Sequence, residues 1–469
     1  MDMNKLREAA SRIWNAETLP ALKTFVSRES LSTDFDPEWE KHGILNEVCR
    51  EAAAWGTRML PRGRTPALIF SVPGTGLYAG REEDTVFFYG HLDKQPPATG
   101  WSEGLGPFTP VVRDGKLYGR GCSDDGYSVY AALTAIRALE DAGIPHPRAV
   151  GLIETREESG SNDLEHYLKK NAARFGSPRL VCVLDSGAGN YEQLWLTSSL
   201  RGACAIDLNV RVLRQGMHSG TASGVVPSSF DVLRILLDRI QDPRTGAILD
   251  PAFNVEIPSN RMDDMKKTAE VLGDGFISEF PWAEGPNGSV QSRCRGTEEA
   301  LIARCWKPTL SVTGAAGLPP LSMAGNSLRS DTTLRLSFRL PPTAKTENIL
   351  PALQKKLLTD PPFNAVVSIA GGDALPGWNA PSEADWFRSA CDESSKALWG
   401  KPAMRIGEGG SIPILNLFEA QFPRAQFAVT GVLGPGSNAH NADESLDLAY
   451  TEKFIAAVGY LAASIPEEA

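Results

Sequence analysis

Four apolar, strand-like runs in this chain end on, or lead directly into, an acid or a histidine. Phe87–Gly90 leads to His91 and Asp93, Ala149–Glu154 to Glu157 and Glu158, and Val181–Leu184 to Asp185. Gln426–Val429 leads into a Gly/Asn-rich loop that carries His440. A fifth signal, Lys116-Leu117-Tyr118, runs through glycines into the adjacent pair Asp124-Asp125. Continuous apolar runs suit strands covered on both faces. Helical periodicity lies between them, most clearly over 127–142, where Val129, Ala132, Leu133, Ile136 and Leu139 share a side and Gly143 stands as the C′ residue. Strands alternating with helices predict an α/β fold with a mostly parallel sheet, whose ligands gather beyond the carboxyl ends of the strands.

Around residue 200 the period changes. Ile206, Leu208, Val210 and Val212 alternate with polar residues, as do Leu334, Leu336, Phe338 and Leu340. Alternation of this kind predicts antiparallel strands with one wet face. Between them Pro227 is expected to start a helix with Phe230, Leu233, Leu237 and Ile240 inward. A smaller α+β domain at 200–376 is therefore expected inside a catalytic domain built from 1–199 and 377–469. Other expected elements are helices over 3–28, 38–56 and 382–399, a strand at 67–72, a Gly-rich turn at 407–411 and a helix from Ala449 onward. The Gly/Pro/Ser-rich segment 253–325 has no readable period.

At 469 residues the chain exceeds what one core supports. A net charge of −10 without a Lys/Arg block argues against nucleic acid and anionic membrane as partners. Seven scattered cysteines with no CxxC pair, no signal-like N-terminus and no apolar run of membrane-spanning length lead to an expectation of a cytoplasmic protein with reduced thiols.

Several carboxylates at one sheet rim are unfavourable unless something neutralises them: a metal, a cationic ligand or solvent. The chain has only six histidines, and two of them fall in this set. His with carboxylate donors suits Zn²⁺, Mn²⁺ or Co²⁺. A two-metal hydrolase needs a bridging carboxylate, terminal ligands for each ion and a base for water. The residues above supply each part.

The motifs Y-G-H-L-D at 89–93, G-K-L-Y-G-R-G at 115–121 with Asp124-Asp125, E-E-S-G-S at 157–161, G-G-S-I-P at 409–413 and A-H-N-A-D-E at 439–444 together resemble the co-catalytic metallopeptidases. That family includes carnosine dipeptidases, aminoacylases and glutamate carboxypeptidase. Order and spacing are most similar to the cytosolic dipeptidase branch.

The resemblance implies a metallopeptidase catalytic domain with an inserted lid and dimerisation domain, and two divalent ions per subunit, zinc first and manganese second. It implies Asp124 as the bridge, His91 and Asp185 as one ion's ligands, and Glu158 and His440 as the other's. Glu157 becomes the general base for a metal-bridging water, and Asp93 orients His91. A cis peptide is implied between Asp124 and Asp125. His218 is implied to reach across a homodimer interface to the scissile carbonyl. Arg339, Gly410 and Ser411 are implied to hold the substrate carboxylate. The substrate class is a dipeptide or short peptide; the alternative is an N-acyl amino acid cleaved by an aminoacylase, and a third reading is a non-catalytic scaffold that keeps the fold. The chain departs from the family pattern at Lys94, Gly126-Tyr127, Asn441 and Asp443. An ammonium at Lys94 is expected to tune the metals, select an acidic substrate or pair at the rim.

Overall fold

The computed structural model describes residues 1–54, 57–59, 64–412 and 414–466. The end of the helix expected over 38–56, at 55–56, lies outside the described residues, as do Pro413 of the G-G-S-I-P motif and the last three positions. The chain divides into two compact units. Unit 1 comprises Met1–Thr197, Ala380–Ile406 and Ile414–Ala469, and unit 2 comprises Ser198–Asn379 and Gly407–Pro413.

Unit 1 is built on a six-stranded sheet. Its first five strands are β1 (Thr57–Met59), β2 (Leu68–Val72), β3 (Asp84–His91), β4 (Arg148–Glu154) and β5 (Ser177–Val183). Its sixth strand, Gln426–Val429, comes late in the chain and is β10 here. The order is β1-β2-β4-β3-β5-β10. The joints β4/β3, β3/β5 and β5/β10 are parallel, while β1/β2 and β2/β4 are antiparallel. The apolar runs explain the central strands: every residue of β3 after Asp84 is buried. Parallel alignment brings the carboxyl ends of β3, β4 and β5 to one rim, with His91, Glu154 and, two residues past β5, Asp185.

Helices cover the sheet. The helix expected over 3–28 is α1 (Met3–Ile13) and α2 (Leu19–Val26), joined by a π-helical turn at Trp14–Thr18. Helix α3 (Tyr127–Asp141) packs against β3, α1 and the closing helix Leu448–Ala463, called α6 below. A Cβ at Gly90 would lie 2.0 Å from Ser128 Oγ and 2.6 Å from Asp125 Oδ2, so only glycine lets α3 start so close to β3.

Unit 2 holds a four-stranded antiparallel sheet of β6 (Gly202–Arg211), β7 (Thr309–Ala316), β8 (Asp331–Leu340) and β9 (Val366–Leu375), in the order β7-β8-β6-β9. The expected alternation sets the register: Leu336 faces Ile206 and Phe338 faces Cys204. The apolar face packs on α4 (Ser229–Asp238) and α5 (Ile349–Leu358) through Val232, Leu233, Leu236, Leu353 and Leu357. Full burial of such side chains contributes about 1.5–3 kcal/mol each. Helix α4 differs from expectation. Ser228, not Pro227, defines its start, with Oγ accepting from Phe230 N at 3.2 Å, and Phe230 is 46% exposed. Segment 253–325 contains helices Ser259–Leu272 and Thr297–Trp306 and strand β7.

All seven cysteines are free thiols. Among the described residues no helix is long and apolar enough to cross a membrane.

Candidate metal centre

His91 closes β3 and is fully buried. Its backbone N–H donates to Asp125 Oδ2 at 3.1 Å. Its Nδ1 lies 3.0 Å from the carbonyl oxygen of Asp93, which can only accept, so Nδ1 carries a proton. The other nitrogen, Nε2, lies 3.4 Å from Asp124 Oδ1 and 3.8 Å from Asp185 Oδ2, and it is buried without a hydrogen-bond partner. Asp124 turns its second oxygen, Oδ2, to His440 Nε2 at 2.8 Å. His440 Nε2 is also 3.5 Å from Glu158 Oε2. One carboxylate thus stands between two imidazoles and offers an oxygen to each.

Donor atoms of His91, Glu157 and Asp185 lie within 4.8 Å of one another, and so do those of His91, Asp124 and Glu158. The structure brings these five residues together with His440, which sits half-exposed on its loop at φ 64°. The Asp124–Asp125 peptide is cis.

Charge is unevenly held here. Burial, with Asp124 beside it, pushes Glu158 up to about 10, and burial with neighbouring charges raises Asp185 to about 6. Glu157 is raised by burial and then by Asp185. Asp124 moves the opposite way: burial opposes ionisation, but the adjacent imidazoles of His440 and His91 hold it below the usual carboxylate range. Without a cation these carboxylates cannot all ionise together.

Further polar groups surround these candidates. The Asp93 carboxylate lies 3.4 Å from His91 Nδ1. Its two oxygens accept the backbone N–H groups of Glu157 and Glu158, each at 3.1 Å, and so fix the turn that carries both side chains. Gln95 Nε2 donates to Glu158 Oε2 at 2.6 Å. Glu444, at the end of the A-H-N-A-D-E motif, pairs with Arg120 of the G-R-G motif at 2.7 Å. Sequence reading missed Gln95 and Glu444. The signal for Glu444 was an acid and an arginine each sitting inside a ligand-bearing motif.

Lys94 corrects an expectation. It is fully buried and does not face the rim. Its Nζ donates to the carbonyls of Phe25 at 3.1 Å, Val26 at 3.2 Å and Arg28 at 2.7 Å, and lies 4.2 Å from the centre of the Phe25 ring. These carbonyls lie at the C-terminal end of α2, where acceptors lack intrahelical donors and the helix dipole favours a cation. Burial lowers the ammonium to about 7. Lys94 is a helix cap.

The remaining expected site residues belong to unit 2. Arg339 Nη1 donates to Ser411 Oγ at 3.2 Å, and Ser411 Oγ donates to the Arg201 carbonyl at 2.5 Å. Gly410 is exposed beside them in sequence. Arg201 is itself buried and donates to the Gly409 carbonyl at 3.2 Å; burial lowers it to about 10, with Arg339 and Arg304 adding like charge. His218 is exposed, pairs in register with Ser327, and accepts the Gly220 N–H on Nδ1 at 3.1 Å.

The donor set fits divalent metal. An unpartnered imidazole nitrogen at His91, an unpartnered Glu158 Oε1 and carboxylates raised by burial and then by one another are what a dication resolves.

Comparison with known proteins agrees with this fit. The sequence profile of peptidase family M20/M25/M40 matches residues 87–465. The Cys-Gly metallodipeptidase dug1 of Schizosaccharomyces pombe is 28% identical over 378 residues, covering 78% of this chain and 76% of that protein. The cysteinylglycine-S-conjugate dipeptidase of Corynebacterium striatum is 26% identical over 374 residues, covering 77% of each. The solved structure of the di-peptidase Dug1p from Saccharomyces cerevisiae shares the fold, with a TM-score of 0.76, 20% identity and 99% of both chains covered. This chain belongs to peptidase family M20/M25/M40 and is a metallopeptidase.

Proposed function

We propose that the chain hydrolyses the peptide bond of dipeptides at a two-metal centre, with zinc as the first choice of metal and manganese as the second. His91 and Asp185 would hold one ion and Glu158 and His440 the other, with Asp124 available to both. The observation that carries this reading is Asp124, whose two oxygens face two different imidazoles inside a ring of carboxylates. Bound divalent ions supply Lewis-acid polarisation and make water acidic enough to be deprotonated near neutral pH.

The protein's own groups do the rest. Glu157 takes the proton of the attacking water and passes it to the leaving amine. Burial and Asp185 raise its proton affinity, as a base requires. Asp93 keeps Glu157 in place through the backbone N–H of that residue. Arg339 binds the substrate carboxylate, with Ser411 and the Gly410 backbone as further donors. His218 acts on the scissile carbonyl in the site of a second chain, placing donor density where the oxyanion develops. Unit 2 is then the lid and the homodimer contact. Free thiols throughout support a cytoplasmic setting.

A panel of dipeptides and N-acyl amino acids, assayed with Zn²⁺ and Mn²⁺ separately and after chelation, tests the reading. Dipeptides turn over, chelation abolishes the activity, and His218→Ala lowers turnover in a protein that sediments as a dimer. Turnover of N-acyl amino acids in preference to dipeptides selects the aminoacylase reading instead. Full activity after verified metal removal overturns both.

A further inference from the structure

One buried ion pair outside the ligand set touches three of the segments that carry it. Arg120 is 1% exposed and Glu444 is 0% exposed. Their contact, Arg120 Nη1 to Glu444 Oε2, is 2.7 Å. The rest of the Arg120 fork donates to backbone: Nε to the Pro96 carbonyl at 3.1 Å and Nη2 to the Asn441 carbonyl at 3.0 Å. Pro96 lies just past His91 and Asp93, and Asn441 directly follows His440.

The Glu444 carboxylate fills a nest of donors. It accepts the backbone N–H of Gly121 at 3.0 Å, of Ser123 at 3.1 Å and of Asp124 at 3.2 Å, with Ser123 Oγ at 3.1 Å. Its backbone carbonyl accepts the Gly119 N–H at 3.0 Å. Successive N–H groups of this kind make a site for an anion, and here the anion comes from the chain itself. The strand pairing of Tyr118 with Ser445 brings the two loops side by side.

We propose that Arg120 and Glu444 are the positioning pair of the metal centre: they fix the loops of His91, Asp124 and His440 together, so both ions depend on a pair that touches neither. The proposal rests on the two-metal reading above. Its distinctive consequence is breadth. Loss of His440 removes a ligand of one ion, whereas loss of the pair displaces Asp124, which both ions share.

The test is Mn²⁺ titration of the full chain, read by electron paramagnetic resonance of the free ion, with circular dichroism as the check of folding. Arg120→Lys keeps the charge but loses the fork to Pro96 and Asn441. Glu444→Gln turns an amino group toward donors whichever way the amide is placed. Each is expected to weaken both Mn²⁺ sites by about 10- to 100-fold, the usual effect of losing an outer partner of metal ligands. His440→Ala is expected to weaken one site only. The double variant Arg120→Lys/Glu444→Gln is expected to lose less than the two single changes combined. A folded Arg120→Lys chain that binds Mn²⁺ like the wild type overturns the proposal, whether or not Glu444→Gln folds. A wild-type chain that binds no divalent ion is a different result and sinks the metal-centre reading itself.

Discussion

Asp124 and Asp125 are joined by one peptide bond and are shifted in opposite directions. Asp124 lies between two imidazoles and is kept ionised; Asp125 is buried beside Asp185 and is raised well above the usual carboxylate range. The same opposition governs how the centre takes up metal. Glu158, raised to about 10, holds a proton at neutral pH in the metal-free fold, and His91 and His440 are also raised. A metal requires the ionised carboxylate and the free imidazole nitrogen, so binding displaces protons. Affinity therefore rises with pH from about 6 toward 10, by about tenfold per pH unit for each proton displaced. Asp185, at about 6, adds to the slope only on the acid side. Calorimetric titration with Zn²⁺ at pH 7, in two buffers of different ionisation enthalpy, is expected to show net proton release. Heats independent of the buffer would contradict this. The ligand candidates were legible because each follows an apolar run and acids there need an explanation. Glu444 and Lys94 were not, because their meaning lies in partners 324 and 66 residues away.

The junction of β3 with α3 is where elements set the geometry of the site. Gly90 permits the approach that puts Asp125 Oδ2 on the His91 N–H, and Gly126 accepts the Phe25 ring, one carbon of which would lie 1.9 Å from an added Cβ. Gly90→Ala forces Ser128 and Asp125 aside. It is expected to cost about 1–3 kcal/mol of stability, as overpacking does, and to weaken metal binding as well. Urea unfolding of the metal-free protein together with a metal titration checks both. Gly325→Ala, with open space around it, serves as the control and is expected to change neither. Unchanged stability in Gly90→Ala would mean that the junction is looser than the distances imply. The strands were legible because their runs and alternations are strong. Helix 259–272 was not, since only Arg261, Met265 and Thr268 of it are buried and no apolar stripe results. The π-helical turn at Trp14–Thr18 likewise leaves no mark in a pattern read at the α-helical period.

At the scale of the molecule, two periodicities correspond to two sheets. Runs buried on both faces form the mixed, largely parallel sheet of unit 1, and alternating runs form the antiparallel sheet of unit 2. The metal-ligand candidates and the proposed base all lie in unit 1, while Arg339, Ser411 and His218 lie in unit 2. Binding of metal and recognition of substrate are then separable by mutation, and Glu157 is the residue that divides the two roles. It is assigned to the proton and not to the metal. Metal content and turnover of Glu157→Ala, measured on the same preparation, test this directly. Two divalent ions retained per chain, with turnover down by about 10²- to 10⁴-fold, is the predicted result. Metal lost in parallel with activity, or turnover kept at the wild-type level, would contradict it.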